Sequence, residues 1–258
     1  MSSITKRITN TVAYLCLLMV MVSGPALGSE KKVLFTSLEW PPYSGAALRE
    51  QGASVAVARA AFAVMGYQLE VHFYPWPRAV GLAKKADSPY QGYLPEYYSA
   101  AIEQEFLFSD TIGVSPLGFA EQTMKPIVWR SIADLESRKV GVVRGYVNTQ
   151  VLDDRIASGR IKAEPVVADV DNLKKLAVGR LDLAVIDHHV FRYLLAHDPA
   201  LAGMEKQLQL NSKILEQKAL FVCFKNSEAG QELVAIFNEG LKRIDAQKII
   251  DEYLSATP

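Results

Sequence analysis

The sequence predicts an α/β protein of two units, each a mostly parallel sheet flanked by helices. Three observations carry that expectation. Strand-like and helix-like stretches alternate along the chain. An extended stretch near 112–125 leaves the first unit, and another near 215–224 returns to it. The chain has 258 residues, half of them apolar, which is enough for one large or two modest cores.

In order, 32–38 (KVLFTSL) reads as a first strand, closed by Glu39-Trp-Pro-Pro-Tyr43, whose two prolines stiffen a loop presenting Trp40 and Tyr43. The Ala- and Val-rich stretch 52–65 reads as a buried helix ending at Gly66, and the alternation over 68–74 as a second strand. Pro75-Trp-Pro-Arg78 opens a short helix, 90–94 forms a third strand, and Phe106-Leu-Phe-Ser-Asp110 follows a weak helix.

The second unit begins at Ser131-Ile-Ala-Asp134, a capping-box signature. Next comes 139–150, KVGVVRGYVNTQ, a short strand running through a glycine turn into a helix. Gly145 suits a turn needing positive φ, and Asn148 and Thr149 lie at the helix start, where free amides and the helix dipole favour an anion. An ordinary strand–turn–helix connection fits the same residues, and no GxxxxGK[ST] loop is present. Then follow a strand at 163–167, a helix at 169–178 closed by Gly179, a strand at 183–186 ending in Asp187, and a helix at 188–196. The strand 219–224 returns, Ser227 caps a long helix with Leu233, Phe237, Leu241 and Ile244 on one stripe, and a last short helix covers about 247–254.

The first residues have another character. Lys6 and Arg7 precede an eleven-residue apolar run, 12–22, and Ala26-Leu27-Gly28 gives a small-x-small exit. That is the pattern of a secretory signal peptide over 1–28, cleaved before Ser29, and the run is short for a permanent anchor. Removing it takes away two basic and no acidic residues, so 28 − 2 = 26 basic residues face 28 acidic ones, about −2. It also removes Cys16, leaving Cys223 in an apolar strand as a buried hydrophobe without a disulfide partner. The near-neutral charge argues against nucleic acid. The four histidines suggest no metal site, and no nucleophile–base constellation is apparent, so neither cofactor nor metal is expected.

Several short motifs stand in a telling order: Trp40-Pro-Pro-Tyr43, Phe108-Ser-Asp110, Ile132-Ala-Asp-Leu135, Val140-Gly-Val, Arg144-Gly145, 179–187 (GRLDLAVID), and Asn238 with Leu241. In that order, after a leader, the chain resembles the bacterial extracellular solute-binding proteins of family 3, the periplasmic components of amino-acid-type ABC transporters. The resemblance spans nearly all of 32–254. It implies a monomeric two-lobe clamshell joined by two crossing strands, with lobes of 29–118 plus 218–258 and of 119–217. A small polar, zwitterionic or amino-acid-like ligand would sit between them, delivered to an inner-membrane ABC permease or a membrane sensor. A periplasmic dehydratase-like enzyme of the same fold is a further alternative, with Asp187 and Glu39 as its candidate acid and base.

The resemblance also suggests site residues. Trp40 and Tyr43 correspond to an aromatic wall, Asp187 to an acid that pairs with a ligand ammonium (or caps its own helix, or both), and Gly145, Asn148 and Thr149 to the carboxylate-binding turn. The family arginine six residues before the Phe of Phe-Ser-Asp is Ile102 here, and the aspartate expected before the third strand's glycine is Gln91. Arg78 and Arg144 could replace the missing clamp or stand as surface charges. Trp76 and Tyr93, with Tyr97 and Tyr98, add rings that either stack on an apolar or cationic ligand or pack their own lobe.

Overall fold

The computed structural model describes residues 31–256, so the leader and its cleavage site lie outside the described residues. Ten strands form one mixed sheet: β1 (Lys31–Ser37), β2 (Tyr67–Phe73), β3 (Gly92–Tyr97), β4 (Phe106–Phe108), β5 (Gly113–Gln122), β6 (Lys139–Val143), β7 (Lys162–Val166), β8 (Leu183–Asp187), β9 (Leu208–Leu210) and β10 (Glu216–Lys225). The spatial order is β2-β1-β3-β10-β5-β8-β6-β7, with β4 beside β10 and β9 beside β5. Eight α-helices accompany them among the described residues: α1 (Ala53–Ala63), α2 (Trp76–Lys84), α3 (Ala100–Glu103), α4 (Gln150–Ala157), α5 (Asp169–Ala177), α6 (His188–His197), α7 (Glu228–Leu241) and α8 (Ala246–Ser255).

The pairing explains the architecture. β1 runs parallel to β3, and β6 runs parallel to both β7 and β8. Every antiparallel register includes β5 or β10. These two ten-residue strands pair with each other over Gly113–Leu117 and Glu216–Leu220, and each then continues into the opposite half of the sheet. They are the two crossings expected from the extended stretches at 112–125 and 215–224.

Each half buries its own apolar layer. In the first half Phe35, Phe62, Phe224 and Phe237 interlock, Phe62 and Phe237 at 4.9 Å and Phe35 and Phe224 at 5.2 Å between centroids. Asn238 on α7 takes the amide of Asp110 on its side-chain oxygen at 2.9 Å, so two of the spaced motifs meet. In the second half Val140, Leu173, Leu176, Leu183 and Val190 are fully buried between strands and helices. The capping box at Ser131 forms as expected, opening a 3-10 turn over Ile132–Leu135.

The third strand departs from expectation. The pattern places it over 90–94, short of Pro95, which cannot donate to the ladder. It instead runs on to Tyr97. Phe221 pairs with Glu96 and Cys223 with Tyr93, so Leu94 and Pro95 together oppose Val222 alone. This one-residue bulge accommodates the proline and re-aims the residues that follow. All six residues of β3 are consequently buried, Glu96 among them.

Candidate functional site

The site forms where the C-terminal ends of the strands in the two halves face each other across the crossings, the place where open α/β sheets hold ligands. Trp40 sits in a turn closed by bonds between Trp40 and Ser44, Trp40 N donating to Ser44 O at 2.8 Å and Ser44 N returning at 3.1 Å. Its ring stacks on Tyr43 with centroids 4.6 Å apart, and Tyr97 meets it edge-on at 6.0 Å. Trp76 opens α2 and packs edge-on against Tyr93 at 5.3 Å and against Tyr146 at 6.1 Å. Trp76 and Tyr146 come from opposite halves.

Aromatic heads of the first half donate two hydrogen bonds across to the second. The Trp76 indole reaches the carbonyl of Gly145 at 3.0 Å. The Tyr43 hydroxyl reaches Asp187 Oδ2 at 3.2 Å. The Trp40 side chain lies close enough to Asp169 to lower its pKa, against the effect of burial. Rings bearing a single N–H or O–H suit this work, combining apolar contact with one directed bond.

Asp187 ends β8 and caps α6, accepting the amides of His189 at 2.6 Å and Val190 at 2.9 Å on Oδ1. Its Oδ2 accepts from Ser115 Oγ at 2.5 Å as well as from Tyr43. The cap half of its sequence-based reading is therefore present, and four donors converge on one carboxylate. Burial nevertheless raises its pKa above the usual carboxylate value.

Two further acids, unmarked by the sequence motifs, lie close by. Glu96, placed inward by the bulge, accepts the Tyr93 hydroxyl at 3.1 Å and the amide of Tyr97 at 2.8 Å, and burial pushes its pKa to about 8. Asp169, in the first turn of α5, is pushed to about 7, first by burial and then by the charge of Asp187. Glu96 is 5% exposed and Asp169 7%, so both carboxyls are protonated or partnered rather than solvated.

The remaining sequence candidates divide. Trp40 and Trp76 line a 30 Å³ cavity with Leu38, Glu96, Tyr97 and Tyr146, and a 10 Å³ recess beside it is lined by Asn148, Asp169 and Asp187. Tyr43 and Tyr93 are fully buried behind that front, Tyr43 under Trp40 and Tyr93 between Trp76 and Phe106. Gly145 takes φ +82°, as its turn requires, and Thr149 caps α4 through the amide of Leu152. The amide and the side-chain nitrogen of Asn148 both bind Asp153, at 2.9 and 2.7 Å, so a carboxylate of the chain itself occupies this helix start. Arg78 and Arg144 are exposed and line neither cavity; Arg78 lies over the Tyr74 ring at 5.0 Å. The structure thus does not bring Arg78, Arg144 and Asp187 together.

Cys223 is free and fully buried, and burial holds its thiol well above the usual pKa. Among the described residues no cluster of metal-ligating side chains occurs, and no helix is long and apolar enough to cross a membrane.

Two crossing strands, parallel sheets on either side and a crevice at their carboxyl ends define the periplasmic-binding-protein fold. Solved structures agree. One is a histidine kinase sensor domain with similarity to periplasmic binding proteins, at 18% identity over 88% of this chain and 96% of that one, TM-score 0.73. A second is the amino acid ABC transporter substrate-binding protein AbpA from Streptococcus pneumoniae bound to L-arginine, at 14% identity, 88% and 95% coverage, TM-score 0.69. A third is the ancestral amino acid-binding protein AncCDT-1, a precursor of cyclohexadienyl dehydratase, at 15% identity, 88% and 95% coverage, TM-score 0.68. The fold is thus one shared by amino-acid-binding proteins and sensor domains. No protein-family model matches the chain, and no curated protein matches its sequence.

Proposed function

We propose that this chain is an exported, non-enzymatic solute-binding protein that captures a small polar, zwitterionic or amino-acid-like molecule between two lobes, 29–118 with 218–258 and 119–217. The observation that carries the reading is the pair of hydrogen bonds donated from Tyr43 and Trp76 to acceptors on the facing half, with Trp40 set against Asp169 beside them. Side chains aligned on both walls of one crevice can exchange those bonds for bonds to a ligand. The 30 Å³ cavity has room for little more than water, which takes about 10–15 Å³. Ligand capture therefore requires the walls to part and re-form by bending at β5 and β10, the hinge closure typical of two-lobe binders.

Trp40, Trp76, Tyr97 and Tyr146 would then contact the ligand, with Glu96, Asp169 and Asp187 setting its orientation. Thermal-shift screening of the mature chain against amino acids, amines and small carboxylates, followed by calorimetry, tests the proposal. Silence across all three classes would sink it. Delivery to an inner-membrane ABC permease is the first reading of its partner. Presentation to a membrane sensor is the second, supported by the likeness to a histidine kinase sensor domain. Co-purification of a permease or of a sensor kinase with the ligand-loaded protein separates the two.

A further inference from the structure

Charge in the crevice is distributed one-sidedly. Glu96, Asp169 and Asp187 are at most 7% exposed and stand among the rings of Trp40, Trp76, Tyr97 and Tyr146. None of the ion pairs found among the described residues includes any of the three. The nearest buried cation, Lys218, lies 5.4 Å from the Tyr97 ring centroid and pairs with Glu216 at 3.4 Å. The arginines that sequence reasoning offered for a carboxylate are at the surface, and Asp153 already holds the amide and side chain of Asn148.

A second hollow adjoins this crevice on the far side of Trp40. It measures 330 Å³, within the range of about 300–1,000 Å³ typical of small-ligand sites. Trp40 and Asp169 belong to both spaces, and Glu39, Tyr193, His197 and Asp198 complete the polar and aromatic lining. The carboxyl shared by the two spaces is therefore flanked by rings and by other acids, with His197 as the sole basic group in that lining. The ring of His197 is stacked on Tyr193 at 4.3 Å.

We infer that the crevice selects an organic ammonium cation without a carboxylate, an amine or quaternary ammonium, with Asp169 meeting its charge and Trp40 lying against its apolar part. The inference rests on the binding-protein reading and narrows its ligand class. A buried carboxylate gains most from a cation that water cannot reach, and an electron-rich ring face adds attraction of its own. An incoming carboxylate would instead meet Asp169 and Asp187 with no guanidinium to offset them, the Lys218 ammonium being set beside Glu96.

Protons compete with such a cation. Asp169 is faced by Asp187, Trp40, Tyr97 and Tyr146 on the crevice side and by Glu39, Tyr193, His197 and Asp198 on the other. Glu96 is faced by Tyr93, Cys223 and Lys218, and Asp187 by Tyr43, Ser115 and His189. With carboxyls held to about 7 and about 8, cation binding releases protons and tightens as pH rises.

The test is calorimetry of the mature chain with choline, tetramethylammonium, putrescine and agmatine, against L-alanine, L-glutamate and acetate, at about pH 6 and about pH 8.5. The expected result is binding by at least one cation, about tenfold tighter at the higher pH, and weakened at least about tenfold in Asp169→Asn. Melting curves establish that the variant is folded, and Glu96→Gln serves as a second variant that should lessen the pH dependence. Binding of L-alanine, L-glutamate or acetate with no response to any cation overturns the inference and leaves the binding-protein reading standing. Unchanged cation affinity in folded Asp169→Asn also overturns it. No binding by any probe overturns the inference and counts against the binding-protein reading as well.

Discussion

Replacing Asp187 with alanine removes one carboxylate from four donors, and its effect can be worked from the geometry. The amides of His189 and Val190 lose the cap of α6, which costs about 1 kcal/mol. The Ser115 and Tyr43 hydroxyls, both fully buried, lose their shared acceptor. An unsatisfied buried donor costs about 1–3 kcal/mol, but each of these has a fallback. Ser115 keeps its bond with Tyr97, and the Tyr43 hydroxyl already lies 3.5 Å from the Val114 carbonyl. The expected loss is therefore about 2–3 kcal/mol, or about 4–12 °C in melting temperature for a domain of this size. Asp187→Asn retains an oxygen for the cap, and the hydroxyls can turn to accept, so it should lose about 1 kcal/mol. Thermal and urea melts followed by circular dichroism read both. An alanine variant melting within about 1 °C of the parent, or an asparagine variant as unstable as alanine, would refute the reasoning.

Trp76→Phe removes the indole donor to Gly145 while keeping a ring, and should weaken the join between the halves by about 0.5–1.5 kcal/mol, seen as a larger radius of gyration in solution scattering. Glu96 and Asp169 have folded pKa values raised to about 8 and about 7 from ordinary carboxylate values. Their contribution to stability is complete below the unfolded values near 4 and is lost progressively as pH rises from there to about 7 to 8, so melting temperature should fall between about pH 4 and about pH 8 and Glu96→Gln should flatten the fall. Gly92→Ala would set a Cβ 2.0 Å from the Cys223 carbonyl of the paired strand, forcing β3 and β10 apart, and should cost about 3 kcal/mol or more in a urea melt.

Much of the fold was legible because its signals are local. Alternation, helix caps and chain order at Ser131, Gly179, Ser227 and Asp187 are all written in short stretches, and the structure places each as the pattern implies. The site was legible only in part. Trp40 and Trp76 could be named from loop prolines beside aromatic residues, and both line the crevice. Glu96 was missed because Pro95 hides the bulge that turns it inward, a consequence of pairing with β10 rather than of local sequence. Asp169 looked like one more acid in the first turn of a helix, and only the approach of Trp40 from the other half gives it a role. Asp153 shows the converse: a helix start suited to an anion is already served by a residue one turn on, which spacing alone did not reveal. Arg78 and Arg144 carried the right chemistry for a clamp, but their neighbours leave both at the surface.

The central claim is that small molecules bind between walls carrying Trp40 and Trp76. The chain has three tryptophans, and the third, Trp129, lies elsewhere, bonded to Asn211 at 3.1 Å. A Trp129→Phe variant therefore reports from the crevice alone. Titrating its fluorescence with amines, amino acids and small carboxylates should give a saturable change for at least one class. A folded variant whose emission responds to none of them would contradict the account.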